Sequence, residues 1–368
     1  MPSLATFNAN NFFLRYKFSK TYPMDRSKSS LVEAVDAAVG YIPARGIGKY
    51  SLKDHIVWDP VRRETAATAL MEPDDKLPDI LCVQEVENIQ ALRAFNERYL
   101  DGHYPFSLLI DAYDPRNIDV GVLSRFPIEG VRTHFDDKKA GERIFSRDCL
   151  EATIGLPDGK MLTLLVNHLK SKLVIKESGE STSKYHQRIK ASHQRRKGQA
   201  AAVAKIVEER FAGQHDSALY AVVGDFNDTP FSRYLWPLLD SPRLTDVLRE
   251  HRGLDDSWTY YWRSERRVSQ IDYVLASKAL AKRVRTVVQA NSNRRPYLER
   301  GGLAYRLGNS GNILPEKLIH FEADPVTPTP AGSPPPEKKI PFDFDRYEAV
   351  VDNWKNNISD HCPLKVWF

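Results

Sequence analysis

Short apolar runs that each end in an acid, an amide or a histidine are the feature of this chain that most constrains its fold. Residues 80–85, Ile-Leu-Cys-Val-Gln-Glu, form one such run. The residues that close the runs are Asn8 and Asn10, Glu85, Asn167 and His168, Asp225 and Asn227, and Asp360 and His361. A single acid after a strand is more often a turn residue or helix cap than a catalyst. Five such endings are hard to explain as turns, and α/β proteins gather their sites at strand ends.

The apolar runs predict buried strands separated by helices. We expect strands at residues 4–8, 80–85, 119–124, 150–156, 161–166, 218–223, 271–275 and 364–368. We expect helices at residues 64–76, 88–99, 184–198 and 199–211. Because the polar endings are spread from Asn8 to His361, one α/β domain over residues 1–368 fits better than two domains.

Two segments depart from this pattern and predict insertions, near residues 12–63 and near residues 295–345. The first is mixed in composition and contains the glycine-rich stretch 45–48. The second contains residues 322–341, which carry seven prolines. Proline at that density predicts a semi-rigid or disordered excursion there, with neither helix nor strand.

Composition and charge narrow the class of protein only moderately. The formal net charge is +5, a mild excess that permits a polyanionic partner without establishing one. The chain has three cysteines, an odd and small number that does not suit a framework of disulfide bonds. This favours a reducing compartment. No signal peptide and no apolar run of about 20 residues is seen. We therefore expect a cytoplasmic protein without a membrane association, monomeric and without an obligate protein partner.

The residue types at the strand ends point to a particular chemistry. Carboxylate and amide oxygens suit a hard cation such as Mg²⁺ or Mn²⁺. Two histidines with carboxylate neighbours suit proton transfer or stabilisation of a charged transition state. Zinc is a poorer fit, since no His/Cys cluster has finger-type spacing. The chain also has no Walker-type glycine loop, which argues against ATP hydrolysis of that kind.

Six motifs, in order along the chain, make the sequence resemble the endonuclease/exonuclease/phosphatase superfamily, and its deoxyribonuclease I-like and bacterial nuclease branches in particular. Residues 224–230, Gly-Asp-Phe-Asn-Asp-Thr-Pro, resemble its Gly-Asp-Phe-Asn signature, and residues 359–361 its Ser-Asp-His signature. The other four motifs are an aromatic-Asn motif at residues 7–10, Gln-Glu at residues 84–85, Asn-His at residues 167–168 and Ile-Asp-Tyr-Val-Leu at residues 271–275. The resemblance implies a four-layer αββα sandwich, in which two mixed β-sheets pack face to face between helices.

The same resemblance assigns roles to individual residues. It makes Glu85 the principal metal ligand, helped by Asn8 and Asp360, with Asn10 near. Many relatives carry Asp where this chain has Asn10, and an amide binds Mg²⁺ less strongly than a carboxylate, so the resemblance does not imply a second metal there. It places His361 on the attacking water or on the developing charge. The remaining implied roles are Asp272 orienting the His361 ring, Asp225 aligning or deprotonating the nucleophile, Asn227 binding the scissile phosphate, His168 donating to a phosphate oxygen or the leaving group, and Asn167 supporting that contact.

Weaker signals suggest further contacts to substrate. Lys170 follows the Asn-His motif, and Arg125 and Arg147 adjoin strand-like runs, so all three are candidates for phosphate binding, with solvated surface side chains as the alternative. The basic run at residues 184–197 is either a nucleic-acid contact or a solvated helix face. The aromatic residues within 258–262 are either a base-stacking platform or part of the core.

The leading functional hypothesis is a Mg²⁺- or Mn²⁺-dependent nuclease that hydrolyses phosphodiester bonds by in-line attack of water. Three alternatives stay open: a phospholipid or inositol-phosphate phosphoesterase, a catalytically silent binding protein of the same fold, and an abasic-site repair enzyme. The lack of a strong amphipathic membrane segment counts against the first. DNA against RNA, and endo- against exonucleolytic cleavage, are left open.

Overall fold

The structure is a computed structural model that describes residues 1–12, 60–71, 76–252, 257–262, 267–287, 316–323, 337–344, 359 and 361–368. Its helices are α1 (Pro60–Met71), α2 (Ile89–Tyr99), α3 (Thr182–Arg210), α4 (Trp236–Leu239), α5 (Val247–Arg252) and α6 (Lys278–Ala281). Its strands are β1 (Ser3–Phe12), β2 (Ile80–Val86), β3 (Phe106–Leu109), β4 (Asp119–Ser124), β5 (Ile128–Arg132), β6 (Lys138–Lys139), β7 (Glu142–Arg143), β8 (Cys149–Gly155), β9 (Met161–His168), β10 (Leu219–Asp225), β11 (Leu244–Asp246), β12 (Tyr260–Trp262), β13 (Arg267–Ser269), β14 (Asp272–Ser277), β15 (Thr286–Val287), β16 (Glu316–Ala323), β17 (Glu337–Phe344) and β18 (Leu364–Trp367).

Two six-stranded mixed sheets dominate the described residues. The first sheet has the order β15-β18-β1-β2-β4-β3, and the second has the order β11-β14-β10-β9-β8-β5. In each sheet the central pair is parallel, β1 with β2 and β9 with β10. Both parallel pairs therefore end at a common edge of their sheet, which places the polar endings of four strands close together.

The side chains of the two sheets build four layers, because successive residues of a strand point to opposite faces. Leu4, Ile80 and Val122 of the first sheet meet Leu164 and Val223 of the second in one buried cluster. The outer face of the first sheet packs against α1 and α2 in a second cluster. The outer face of the second packs against α3 and α4 in a third. This arrangement confirms the predicted αββα sandwich.

All eight predicted strands are present, whereas the helices differ from the prediction at their ends. The helix predicted at residues 64–76 is α1, which begins at Pro60 and ends at Met71. Proline fits the first turn of a helix and cannot continue one, so Pro60 starts α1 and Pro73 lies beyond it. The helices predicted at residues 184–198 and 199–211 are one 29-residue helix, α3. Ser181 caps it, its Oγ accepting a hydrogen bond from Lys184 N–H.

The proline-rich segment gives one correction. No strand was predicted in residues 322–341, yet β16 reaches Ala323 and β17 begins at Glu337, and the two pair antiparallel. They belong to a four-stranded sheet of order β12-β13-β16-β17, in which β17 is an outer strand. An outer strand accepts proline because one of its sides needs no hydrogen-bond donor, which explains Pro341 within β17. Residues 13–59, most of the first predicted insertion, lie outside the described residues.

No helix in the described ranges is long and apolar enough to cross a bilayer.

Candidate active site

The strand register brings five predicted site residues to one edge of the sandwich. In the first sheet, Asn8 lies opposite Gln84 on the neighbouring parallel strand, so the next residue, Glu85, is close to it. In the second sheet, Asp225 lies between His168 on β9 and Asp272 on β14. Asn8 joins the two sheets directly, since its Nδ2 donates to Asp225 Oδ2 at 3.0 Å. The polar endings of both sheets thus form one cluster.

The backbone at this edge is bent out of the ordinary strand conformation. Asn10, Asn11, Glu85 and Asn227 all have positive φ, with values of 48°, 60°, 62° and 56°. Asparagine tolerates this left-handed region, whereas glutamate adopts it only at a cost of about 1–2 kcal/mol. The bend at Glu85 turns its carboxylate so that Asn11 N–H donates to Oε2 at 3.0 Å. Strain of this kind is typical of functional sites.

Gly224 explains the first position of the Gly-Asp-Phe-Asn motif. Its φ is +127°, and a Cβ built there would lie 1.9 Å from the backbone oxygen of Asn167. Only glycine allows β10 to approach β9 this closely, and the approach places Asp225 beside His168.

His361 and Asp272 form a buried pair. The Nδ1 of His361 lies 2.9 Å from Asp272 Oδ2, which also accepts a hydrogen bond from Thr259 Oγ1 at 2.8 Å. The backbone N–H of His361 donates to Ser359 Oγ at 3.0 Å. The carboxylate therefore holds the Nδ1 proton and fixes the ring orientation. This leaves the Nε2 side of the ring directed toward Asp225, at 3.8 Å from its Oδ2.

Asp225 is at the centre of the cluster. Its Oδ1 accepts from Asn227 N–H at 2.7 Å, and its Oδ2 accepts from the side-chain amides of Asn8 and Asn227 at 3.0 and 3.1 Å. Burial raises the pKa of Asp225 to about 7, against the opposing effect of His361. A carboxylate with a pKa in this range exchanges a proton readily near neutral pH.

His168 bridges the two sheets between carboxylates. Its Nε2 lies 3.4 Å from Asp225 Oδ2 and 3.8 Å from Glu85 Oε1. Burial, together with the nearby charge of Arg147, holds the pKa of His168 well below its usual range, so the ring is neutral. A neutral ring in this position donates from Nε2 to an oxygen atom. Its Nδ1 has no hydrogen-bond partner among the described residues.

The comparison with known families agrees with this geometry. The sequence profile described as the Endonuclease/Exonuclease/phosphatase family matches residues 5–361. The chain belongs to that family. The family consists of metal-dependent phosphoesterases, so the protein is an enzyme of the class that acts on phosphoester bonds. The predicted family membership is thereby confirmed.

Several solved structures have a fold similar to that of this chain. Sphingomyelinase C from Streptomyces griseocarneus is 12% identical, with a TM-score of 0.47, over 99% of this chain and 98% of that chain. Truncated TDP2 from Caenorhabditis elegans is 15% identical, with a TM-score of 0.45, over 99% and 96%. Beta toxin from Staphylococcus aureus is 11% identical, with a TM-score of 0.46, over 100% and 99%. Likeness at this level says nothing about the substrate. No protein of curated function matches the chain.

The donor atoms at the site fit a hard divalent cation. Glu85 and Asn8 present oxygen atoms from neighbouring parallel strands, and the Glu85 side chain is 12% exposed. Asn10 lies beside them, and its Oδ1 accepts from Asn11 Nδ2 at 2.9 Å. Oxygen ligands of this kind are those that Mg²⁺ prefers. Asp360, predicted as a further ligand, lies outside the described residues.

A second set of donors offers a cation a different position. One ligand atom each of Asp225, Asp272 and His361 lies within 4.8 Å of the others. A cation held by all three competes with the hydrogen bond that fixes the His361 ring. The Glu85 position leaves that hydrogen bond intact, so it is the better fit to the observed geometry.

Arg147 is close to the cluster, and its guanidinium hydrogen bonds to other groups of the protein. Its Nε donates to Asp114 Oδ2 at 2.9 Å, and its Nη1 donates to the backbone oxygen of Leu169 at 3.1 Å. Arg116, which the sequence motifs do not single out, lies 3.6 Å from both Asp114 and Glu85 and is half-exposed. An isolated arginine in a loop before a strand carries no signal in the sequence, so only the structure identifies it.

Two predicted phosphate ligands do not reach the cluster. Asn167 lies on the outer face of β9, because side chains alternate along a strand and His168 occupies the inner face. Its Nδ2 donates to Leu165 O at 3.0 Å. Arg125 lies at the opposite end of the first sheet, where it pairs with Asp79 at 2.7 Å. The expected contact of Arg125 with a phosphate at this site is therefore wrong, and the side chain of Asn167 faces away from the cluster.

Proposed function

We propose that this protein is a metal-dependent phosphodiesterase that cleaves nucleic acids, a nuclease in which water attacks the phosphorus in line. The observation that carries the proposal is the convergence of the His361–Asp272 pair, Asp225 and a neutral His168 at one edge, beside the oxygen ligand Glu85. Phosphodiester hydrolysis needs a proton acceptor for water and positive charge or hydrogen-bond donors for the developing negative charge. This cluster supplies both.

The geometry suggests how the proton of the attacking water is handled. Asp272 keeps the Nδ1 proton of His361 in place and stabilises the imidazolium when Nε2 takes up a proton. Asp225, 3.8 Å from that nitrogen and with a pKa near neutrality, aligns or deprotonates the water. His168 donates from Nε2 to a phosphate oxygen or to the leaving group. Asn227, hydrogen bonded to Asp225, holds the scissile phosphate.

The proposed metal site consists of Glu85, Asn8 and Asp360, with Asn10 at its side, and Mg²⁺ or Mn²⁺ is the proposed ion. A bound divalent cation there supplies positive charge that polarises the phosphoester and stabilises the charge formed during attack. Because site residues come from strands near both ends of the sequence, we also propose that residues 1–368 form one catalytic domain. The three cysteines are unpaired and buried, which supports the cytoplasm as the proposed location.

The direct test is cleavage of a substrate panel: supercoiled plasmid, linear duplex, single-stranded DNA and RNA, each with Mg²⁺, Mn²⁺ or EDTA. Glu85→Ala and His361→Ala are measured beside the wild type, and Arg125→Ala serves as a matched control from the opposite edge. We expect metal-dependent cleavage that both site variants lose and the control keeps. Hydrolysis of short diesters, lipids or inositol phosphates without cleavage of any polynucleotide would contradict the proposal. If Glu85→Ala changes nothing measurable, a catalytically silent binding protein becomes the better account.

A further inference from the structure

The loop of residues 172–176 that follows the catalytic edge exposes two large aliphatic side chains. Leu173 and Ile175 are 65% and 71% exposed. This loop, which we call the docking loop, has the sequence Lys-Leu-Val-Ile-Lys and begins four residues after His168. Isolated exposed aliphatic residues are common on protein surfaces. Two of them in one short loop between lysines, next to a catalytic histidine, indicate a contact surface.

Side chains of α3 hold the docking loop and its approach in a defined position. Arg196 Nη1 donates to the backbone oxygen of Lys170 at 2.8 Å, and Ser192 Oγ donates to that of Ser171 at 2.7 Å. Further along, Arg188 Nη1 lies 3.4 Å from the backbone oxygen of Ile175. These hydrogen bonds attach the backbone of residues 170–175 to α3. The side chains of Leu173 and Ile175 are therefore exposed on a loop whose backbone is held in place.

The first half of α3 adds a strip of positive charge beside the docking loop. Residues 184–197 contain six basic and no acidic residues. Two of the six are already paired, Arg188 with Glu177 and Glu180 and the buried Arg196 with Asp228. Lys184, Arg188 and Arg195, at helical spacings of four and seven, lie on the flank of α3 from which Arg188 reaches the loop. Lys184 and Arg195 are exposed and form no ion pair within the described part of the chain. The strip from residue 184 to residue 197 is about 20 Å long, given 1.5 Å per residue.

Cations also connect this strip to the active site. Burial lowers the pKa of the half-buried Lys170, and the positive charges of Arg147, Arg195 and Arg116 lower it further. Lys170 therefore lies close enough to Arg147, Arg195 and Arg116 to be affected by their charge, and the nearby Asp114 carboxylate partly offsets it. Arg116 in turn lies 3.6 Å from Glu85, so cationic side chains occur at intervals from the reacting position to α3.

We propose that the docking loop and the adjacent flank of α3 bind a nucleic-acid duplex, with Lys170, Lys184 and Arg195 on the phosphates and Leu173 and Ile175 inserted into a groove. This deepens the proposed function and rests on it. Two exposed cations that form no ion pair with any described residue, Lys184 and Arg195, are spaced along about 16 Å of helix and match the successive phosphates of a linear polyanion. A single lipid headgroup offers only one or two charges. Aliphatic wedges are used on duplexes, while single strands are bound mainly by aromatic stacking. The aliphatic pair thus selects a duplex over a single strand.

The first test measures binding of a fluorescent duplex by anisotropy in EDTA, so that cleavage does not interfere. The variant is Leu173→Ser/Ile175→Ser, and the matched control is Val131→Ser/Met161→Ser, which removes two aliphatic side chains that are 49% and 52% exposed elsewhere. We expect the loop variant to bind about tenfold more weakly, which corresponds to about 1.4 kcal/mol. The control should bind like the wild type, and a single strand should lose much less affinity. Unchanged duplex binding, or an equal loss for the single strand, would overturn the proposal.

The second test separates the cations from the aliphatic pair by salt dependence. Lys184→Gln/Arg195→Gln should make the plot of log affinity against log salt shallower by about 0.9 for each phosphate that the variant no longer neutralises. Lys205→Gln, on the same helix and 73% exposed, is the control and should leave the slope unchanged. The loop variant should lower affinity without changing the slope. A slope that is the same in the wild type and in Lys184→Gln/Arg195→Gln would contradict the cationic strip.

Two further arms distinguish failure of this proposal from failure of the proposed function. If the wild type binds the duplex but does not cleave it with Mg²⁺ or Mn²⁺, the nuclease proposal fails and the docking surface stands. If the wild type cleaves and the loop variant binds as tightly as the wild type, the docking surface alone fails. Vesicles containing phosphatidylserine form the last arm. If the loop variant no longer binds vesicles but binds the duplex like the wild type, the duplex proposal is overturned and the partner of the docking loop is a lipid surface.

Discussion

The two edges of the sandwich at which β1 and β2 begin and end contain polar clusters of opposite character. At the edge where β1 and β2 begin, Asp79 Oδ2 accepts from the backbone N–H and the hydroxyl of Ser3, and Asp79 Oδ1 accepts from Arg125. At the edge where they end, Glu85 is strained, and the neighbouring His168 keeps an unpartnered Nδ1. Of the seven non-glycine residues with positive φ in the described ranges, four lie at the second edge. Polar groups that satisfy each other stabilise a fold, while strained or unpartnered ones are held ready for a ligand.

The largest expected effect is on kcat, and it comes from replacing His361 at the edge where β1 and β2 end. His361→Ala should lower kcat by about a thousandfold, the usual range for loss of a positioned acid or base. The melting temperature should fall as well, because the variant leaves the buried Asp272 carboxylate without the imidazole that hydrogen bonds to it. Turnover of a small diester and thermal unfolding, measured on the same sample, check both statements. If Arg125→Ala lowers kcat as much as His361→Ala does, the two edges do not differ in the way described.

The reverse effect is expected at the opposite edge. Asp79→Ala should lower the free energy of unfolding by about 1–3 kcal/mol, because it leaves the buried N–H of Ser3 without its acceptor. Turnover per folded molecule should be unchanged. Urea unfolding followed by fluorescence, together with active-site-independent protein quantification, measures the two quantities. A variant with unaltered stability and reduced turnover would break the comparison.

A smaller effect isolates the strain at Glu85. Glu85→Gly should be more stable than Glu85→Ala by about 1 kcal/mol, because glycine adopts a positive φ without steric cost and alanine does not. Both variants should lose metal-stimulated turnover. Equal unfolding free energies for the two variants would show that the backbone at this position carries no strain.

The smallest expected effect concerns a third polar cluster, away from both edges. Burial lowers the pKa of His134, but its contacts with Glu151 and Asp137, at 2.8 Å each, outweigh this and raise it above 6.5. The stabilisation is therefore fully present below 6.5, the pKa of the unfolded histidine, and is lost as the pH rises through the raised value. Urea unfolding across this range should show that the difference in unfolding free energy between the wild type and His134→Gln narrows as the pH rises. A difference that is constant with pH would contradict a charged His134.

Much of the fold and of the site is accessible from the sequence for a simple reason. Residues 80–83 are apolar throughout and are followed by the polar Gln84 and Glu85, so this run predicts both a buried strand and a polar side chain at the sheet edge. Parallel neighbours then bring Asn8 to Glu85, and His168 to Asp225, by register alone. These pairs required no knowledge of side-chain contacts.

The misses have physical causes of their own. The side on which Asn167 points depends on strand alternation at the last residues of β9, where a shift of one position reverses the result. The end of the sheet at which Arg125 lies depends on the direction of β4, which runs antiparallel to β2. Arg116 forms an ion pair with Glu85, and Thr259 donates a hydrogen bond to Asp272. The partners are distant in sequence, so no local sequence pattern predicts these contacts.

Hydrolysis of bis(4-nitrophenyl) phosphate with and without a chelator, by the wild type and by Glu85→Gln, tests the central claim most directly. The claim is that the strained edge is a metal-dependent phosphodiesterase site. It predicts turnover with Mg²⁺ or Mn²⁺ that EDTA abolishes, and a Glu85→Gln protein that folds normally and has lost the metal-stimulated turnover. Turnover that EDTA does not affect, or a Glu85→Gln variant that responds to metal like the wild type, would contradict it.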